Sequence, residues 1–203
     1  MLFKPLLLLS AISSSLCASS PPAGSITVGP GGQYSTLSDA LTNTSSNVYF
    51  IYGTSIHKRV VITRPNITIY GQTSDESTYS QNLATIHNNI PASSAGAEGS
   101  ATVSVRESAT DVKIYNLNVA NTYGRPILTC GRLFDDPYYY VIDQSNVIGT
   151  GIQYLGRPWR NYARVIFQNS VLGSQIQPAG WSEWSTTNPM TDHIFYGEFK
   201  NTG

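Results

Sequence analysis

A repeated pattern of two short apolar strands separated by a sharp polar bend constrains the fold of this chain most strongly. Each copy places one aliphatic residue five positions before another, and the first residues of three copies lie 28 and 24 positions apart. A period in the mid-twenties with two strands per copy is typical of a parallel β-helix, in which each coil covers one face of the next. The copies are Ile114 with Val119, Ile142 with Val147, Ile166 with Val171 and, more loosely, Ile62 with Ile67.

A β-sandwich built from hairpins is the competing interpretation of the same strands. Two-residue hairpin turns favour Asn-Gly or Asp-Gly, and the sequence contains neither pair. The 13 tyrosines and the low charged fraction of 12% are typical of a β-rich exported protein. The pattern therefore favours an all-β parallel β-helix. We predict strands at 26–28, 48–52, 59–63, 67–70 and 102–105, a short helix at 35–41 capped by Ser35, and a long polar excursion at 72–100.

The N-terminal residues are typical of a secretory signal peptide. Lys4 supplies the positive charge, a leucine-rich stretch follows, and small residues near Ala18 offer a cleavage position. The apolar stretch is too short to span a bilayer as a helix. We therefore predict a signal peptide at 1–18 and a β-helix domain at 19–203, and we expect a secreted, extracellular monomer with no membrane association.

Cleavage of the signal peptide changes the number of cysteines expected in the mature chain. It would remove Cys17 and leave Cys130 as a lone thiol, which we expect to be a small buried residue rather than a nucleophile. Two sequons begin at Asn43 and Asn66, and both are compatible with glycosylation on the secretory route.

Charge and residue spacing argue against several classes of function. Lys plus Arg equals Asp plus Glu at 12 each and no basic run is present, so we expect no nucleic-acid partner. The three histidines, His57, His87 and His193, have no Cys or His neighbour at the spacing of metal ligands. We expect neither a metal nor a cofactor.

The segment from Tyr154 to Trp159 is the strongest candidate for a functional site. Gly156 permits an unusual backbone angle and Pro158 fixes the next turn, so Arg157 is held at a bend. A fixed guanidinium orients a carboxylate and lowers its pKa, and the flat face of Trp159 suits a sugar ring. The alternative is an arginine that only packs over aromatic rings in a turn.

The same segment carries a resemblance to a known family. Leu155-Gly156-Arg157-Pro158-Trp159 resembles the Leu-Gly-Arg-Pro-Trp signature of the fungal-type pectinesterases (pectin methylesterases), and Gly180-Trp181 through Trp184 resembles their Gly-Trp-x-x-Trp segment. The likeness extends over nearly all of residues 25–203. It implies a right-handed, single-stranded parallel β-helix of the pectin lyase-like type. It also implies hydrolysis of the methyl esters of pectin (homogalacturonan) to pectate and methanol.

The family's catalytic blocks are missing from this sequence. In the family an aspartate attacks the ester, a second aspartate acts as acid and then base, and two glutamines stabilise the oxyanion. The resemblance makes Arg157 the catalytic arginine that keeps the nucleophile ionised, and makes Arg157 and Trp159 the substrate-binding pair. The blocks Gln-Ala-(Val/Leu)-Ala-Leu, Gln-Asp-Thr-Leu and Asp-Phe-Ile-Phe-Gly are all absent. We therefore predict a β-helix shortened by several coils, with an internal deletion near 124–131.

Two alternatives to an active esterase stay open. The first is a non-catalytic chain, as an inactive pectin-binding remnant or an incomplete gene product. The second is another pectin-acting β-helix, such as a lyase or a polygalacturonase. A lyase would need a calcium-binding acidic cluster and a polygalacturonase a facing aspartate set, and the sequence shows neither. Asp135 and Asp136 are adjacent, so on a strand they point to opposite faces and we expect solvated loop residues. Glu183 lies between two tryptophans, where a packing role is expected.

Overall fold

Three parallel β-sheets wind around one apolar core in this computed structural model, which describes residues 19–123 and 127–203. The predicted signal peptide at 1–18 and residues 124–126 of the predicted deletion site lie outside the described residues. Four successive turns of the chain, over residues 48–158, each add one strand to each sheet, and the strand pairs within the sheets are parallel. This arrangement is a parallel β-helix, as the repeat predicts.

The sheets differ in their number of strands. The first contains β1 (Ile26–Val28), β2 (Val48–Ile51), β5 (Thr68–Gly71), β8 (Val112–Tyr115), β11 (Tyr140–Asp143), β14 (Arg164–Gln168) and β16 (Phe195–Phe199) in that order. The second contains β3 (Ser55–His57), β6 (Thr85–Asn88), β9 (Asn118–Asn121), β12 (Asn146–Gly149) and β15 (Val171–Leu172). The third contains β4 (Val60–Ile62), β7 (Val103–Val105), β10 (Leu128–Cys130) and β13 (Gly156–Pro158). The helices are α1 (Leu37–Ala40), α2 (Ala92–Ser100) and a 3₁₀ turn at Tyr79–Gln81.

Ladders of inward-facing side chains form the core. In the seven-stranded sheet, Ile69, Ile114, Ile142 and Phe167 are register partners on successive strands, and all four are buried. Burial of each such side chain contributes about 1.5–3 kcal/mol of transfer free energy. Strand neighbours lie about 4.8 Å apart, so each side chain contacts its counterparts in the coils above and below.

A left-handed residue forms the bend between the seven-stranded and five-stranded sheets. Asn116, Gln144, Asn169 and Lys200 have φ angles of 52°, 49°, 49° and 51° and occupy the same corner of four successive coils. Asn is among the residues that adopt this conformation most readily, because its short polar side chain bonds locally. The predicted bend between paired strands is therefore confirmed.

Two of the predicted repeat copies were wrong in register. Ile142 pairs with Phe167 rather than with Ile166, and Val147 pairs with Leu172, so the third copy is displaced by one residue. Ile62 belongs to the four-stranded sheet, so its pair with Ile67 spans a different corner. Because both faces of these strands carry aliphatic residues, five-residue spacing alone did not distinguish the inward face.

The first 100 residues depart from the predicted elements in three places. Strand β3 (Ser55–His57) lies between two predicted strands and was not itself predicted. The N-cap of α1 is Thr36, not Ser35, and its hydroxyl oxygen accepts a hydrogen bond from the backbone N–H of Asp39. The polar excursion contains strand β6 as well as α2. The strand was missed because its only buried apolar side chain is Ile86 and the flanking residues are polar.

The coil that contains the predicted deletion site is stacked in register. Strand β10 pairs with β7 on one side and β13 on the other. Leu128 and Cys130 belong to the apolar core, whereas Thr129, although also buried, points to the opposite face and lines a surface groove. Cys130 is a buried free thiol, as predicted, and burial raises its pKa well above the ordinary value. The inward and outward alternation therefore continues from the coil before residues 124–126 to the coil after them.

Separate alanine substitutions of an inward and an outward residue of β14 should show which face of the strand stabilises the fold. Phe167→Ala removes a buried ring and should lower the free energy of unfolding by about 3–5 kcal/mol. Ile166→Ala, one position away on the outward face, should lower it by about 1 kcal/mol or less. Urea unfolding followed by circular dichroism measures both, and equal losses would contradict the register described for β14.

Candidate functional site

An outward row of side chains on the four-stranded sheet places the candidate site. Strand register aligns Val61, Ser104, Thr129 and Arg157 on successive coils. The Ser104 and Thr129 hydroxyl oxygens are 3.0 Å apart, and Arg59 Nη2 donates to the Ser104 oxygen at 2.7 Å. The row therefore presents two linked hydroxyl groups between two guanidinium groups.

Arg157 is fixed by close packing of its neighbours. A Cβ on Gly156 would lie 2.9 Å from the Leu128 carbonyl oxygen, so only glycine lets the two strands approach. The φ of Gly156 is not positive, and the predicted unusual backbone angle was therefore wrong. Arg157 Nη1 lies 3.5 Å from the Trp184 carbonyl oxygen, and its Cζ lies 5.8 Å from the centroid of the Trp184 ring.

Trp159 lines a groove of about 360 Å³ beside this row. Its ring lies over Gly131, where a Cβ would approach Trp159 Cδ1 to 2.9 Å. Its ring centroid is also 4.9 Å from that of Trp184, in an edge-to-face arrangement. Trp184 thus contacts both predicted site residues and links Trp159 to Arg157, although Arg157 is not among the residues that line the groove.

The opposite wall of the groove is polar and charged. Arg160 Nε donates to Glu107 Oε2 at 3.2 Å, which joins two coils across a separation of 53 residues. Both side chains remain partly exposed, at 42% and 37%. The groove is lined by Ser104, Val105, Arg106, Glu107, Ser108, Thr129, Trp159 and Arg160.

The described part of the chain does not place a hydrolytic nucleophile beside Arg157. Its register neighbour on the preceding coil is Thr129, a neutral hydroxyl group, where an acid would be needed to form a carboxylate–guanidinium pair. Activation of that hydroxyl would need an adjacent base. Two of the histidines, His57 and His87, stack on each other on the five-stranded sheet, with their ring centroids 4.5 Å apart. The hydroxyl and guanidinium groups beside Arg157 are therefore suited to binding a polar ligand.

Asp135 and Asp136 differ: the predicted solvated loop residue is confirmed for Asp135 and was wrong for Asp136. Arg132, which is 1% exposed, donates to an Asp136 carboxylate oxygen and to the Tyr138 carbonyl oxygen. Asp135 pairs instead with Arg164 and is 70% exposed. A buried arginine in a loop was not expected from the sequence. Burial also raises the pKa of Tyr140, the aromatic partner of Arg132.

Other kinds of site are not found in the described residues. No group of three or more His, Cys, Asp or Glu side chains that could hold a metal ion occurs within 19–123 and 127–203. Over the same residues, none of the helices has both the length and the apolar character needed to cross a bilayer. Glu183 is exposed beside Trp184 and makes no contact that assigns it a role.

Comparison with known proteins identifies the family. A family model described as Pectinesterase matches residues 140–203, which include Arg157, Trp159 and Trp184. Probable pectinesterase A of Aspergillus fumigatus is 31% identical over 91% of this chain and 80% of its own length. The chain belongs to the pectinesterase family. The pectinesterase of Aspergillus aculeatus is 28% identical over 94% of this chain and 85% of its own.

A solved structure of the same family supports the fold. The pectin methylesterase of Aspergillus niger superposes with a TM-score of 0.51 and 27% identity, over 91% of this chain and 87% of that chain. The predicted family and the parallel β-helix fold of this pectinesterase relative are thereby confirmed.

The two arginines of the 132–164 region should differ sharply in their contribution to stability. Arg132→Ala leaves Asp136 without its buried partner and should cost about 3–5 kcal/mol. Arg164→Ala breaks a pair with an exposed carboxylate and should cost about 1 kcal/mol or less. Thermal and urea unfolding of the matched variants tests this difference, and a smaller loss for Arg132→Ala would show that its buried ion pair is not structural.

Proposed function

We propose that this pectinesterase-family chain binds methyl-esterified homogalacturonan along the outer face of the four-stranded sheet. The observation that carries the proposal is the cluster of Arg157, Trp159 and Trp184 beside a groove of about 360 Å³. Indole faces suit the apolar faces of sugar rings, and guanidinium groups suit uronate carboxylates. Family membership supports pectin as the polysaccharide.

The family name implies ester hydrolysis. The residues of this chain that the structure describes support binding of pectin, but they do not supply the catalytic carboxylate. The described residues place Thr129, rather than a carboxylate, next to Arg157. The alignment with the Aspergillus aculeatus relative covers 281 positions, which exceeds the 203 residues of this chain, so that relative contains residues without a counterpart here. Both observations support a deletion that includes the catalytic aspartates. Loss of a nucleophile commonly lowers the rate by several orders of magnitude.

The proposed function also includes an extracellular location. The predicted signal peptide and the predominance of uncharged polar residues support an extracellular protein that meets pectin in plant cell walls. The sequon residue Asn66 is exposed at a turn, where it is accessible to glycosylation. We propose that the secreted protein is a monomer, with neither nucleic acid nor membrane as a partner.

Binding and turnover can be measured separately on purified protein. We expect retention on highly methylated pectin, together with methanol release close to the uncatalysed rate. Trp159→Ala should weaken binding by about 3- to 10-fold, because it removes one stacking face. His57→Ala, on the five-stranded sheet, should leave binding unchanged. Isothermal titration and a methanol assay give the two readouts.

Each outcome of these assays has a distinct meaning. Methanol release that is lost on Arg157→Ala substitution would establish an active esterase and contradict the binding-only proposal. Equal affinities of Trp159→Ala and the unsubstituted chain would contradict the placement of the ligand in the groove. Sequencing of the transcript would reveal a segment bearing Gln-Asp-Thr-Leu after Thr122 if the chain is an incomplete gene product.

A further inference from the structure

A second pocket lies on the outer face of the seven-stranded sheet, near its C-terminal edge. Its volume is about 260 Å³. Two rows of side chains from successive coils form it, because Arg164 is the register partner of Phe195 and the preceding residues continue the same pairing. The lining residues are Asp135, Tyr139, Tyr162, Arg164, His193, Ile194 and Phe195.

Two aromatic pairs form the walls of this pocket. Tyr139 and Phe195 meet edge to face with their centroids 5.4 Å apart and their planes at 86°. Tyr162 and His193 stack with centroids 4.7 Å apart and planes at 9°. Phe195 is 48% exposed and His193 is also exposed, so the apolar faces are accessible from solvent. Flat, exposed aromatic rings around a concave surface suit the apolar faces of sugar rings.

A guanidinium group between the aromatic pairs supplies the charge. Arg164 lies with its Cζ 5.7 Å from the centroid of the Tyr139 ring, and Nη1 donates to the Asp136 carbonyl oxygen at 2.7 Å. Its Nη2 is paired with the Asp135 carboxylate, which is 70% exposed. An ion pair this exposed contributes little stability, so a ligand carboxylate can replace that of Asp135 at small cost.

The pocket is close in sequence to the proposed pectin groove. Trp159 and Arg160 line the groove, and Tyr162 and Arg164 line the second pocket. Residues 159–164 therefore present a groove wall at one end and a pocket wall at the other.

We propose that this second pocket is a distinct binding site for an acidic oligosaccharide with a free uronate carboxylate, such as an unesterified galacturonate segment. The aromatic pairs contact the sugar faces, and Arg164 binds the carboxylate after Asp135 is displaced. The identity of the sugar rests on the proposed function, whereas the preference for a free carboxylate follows from Arg164.

Isothermal titration with tetragalacturonate tests the site on a Trp159→Ala background, in which groove binding is weakened. Phe195→Ala should lower the remaining affinity by about 3- to 10-fold. Phe199→Ala removes an equally exposed ring from the same strand outside the pocket, and it should change nothing. Asp135→Asn should raise the affinity about 3-fold, because it removes the competing carboxylate. A rise cannot come from misfolding.

Other results would overturn the proposal and separate it from the groove hypothesis. Equal effects of Phe195→Ala and Phe199→Ala, or no gain from Asp135→Asn, would remove the pocket as a site. If Phe195→Ala changes the sedimentation coefficient but not the affinity for tetragalacturonate, the surface is a contact with a second copy of this chain. If Trp159→Ala leaves the affinity for methylated pectin unchanged while Phe195→Ala lowers the affinity for tetragalacturonate, the pocket stands and the groove hypothesis is contradicted.

Discussion

Contact between inward-facing side chains of successive coils is the interaction on which the rest of this structure depends. Each coil covers the next at strand spacing, so a side chain can face the core only if its register partners do so as well. Leu128 and Cys130 meet this condition between Val103 and Val105 on one side and Gly156 and Pro158 on the other. A one-residue slip there would have turned Thr129 inward and a core residue outward.

The same register creates the outer surface. Because Leu128 and Cys130 point inward, Thr129 must point outward, between Ser104 and Arg157. A solenoid tolerates the loss of whole coils, since each coil contacts only its neighbours. A deletion of this kind would change the surface chemistry even where the core is unchanged. Arg157 and Trp159 both contact Trp184, and the register partner of Arg157 is the neutral Thr129.

Recognition and chemistry are therefore separable in this fold. Trp184 links the two signature residues through one edge-to-face contact and one cation–π contact, and both depend only on the last coils of the stack. Hydrolysis would need a nucleophile from an adjacent coil. The buried pair of Arg132 and Asp136 has a different role, because it fixes the loop that leads from the groove sheet to the seven-stranded sheet.

The sequence by itself determined the family and the coil architecture with a sharp bend between paired strands, and it predicted Arg157 and Trp159 as site residues. These follow from local signals: a repeated strand spacing with a polar bend, and the Leu-Gly-Arg-Pro-Trp and Gly-Trp-x-x-Trp motifs. Only the tertiary structure decided that Phe167 rather than Ile166 faces the core, that Arg132 is buried, and that Thr129 lies beside Arg157. Residues from different coils meet according to strand register, and register depends on how every coil packs against the next, which no short window of sequence contains.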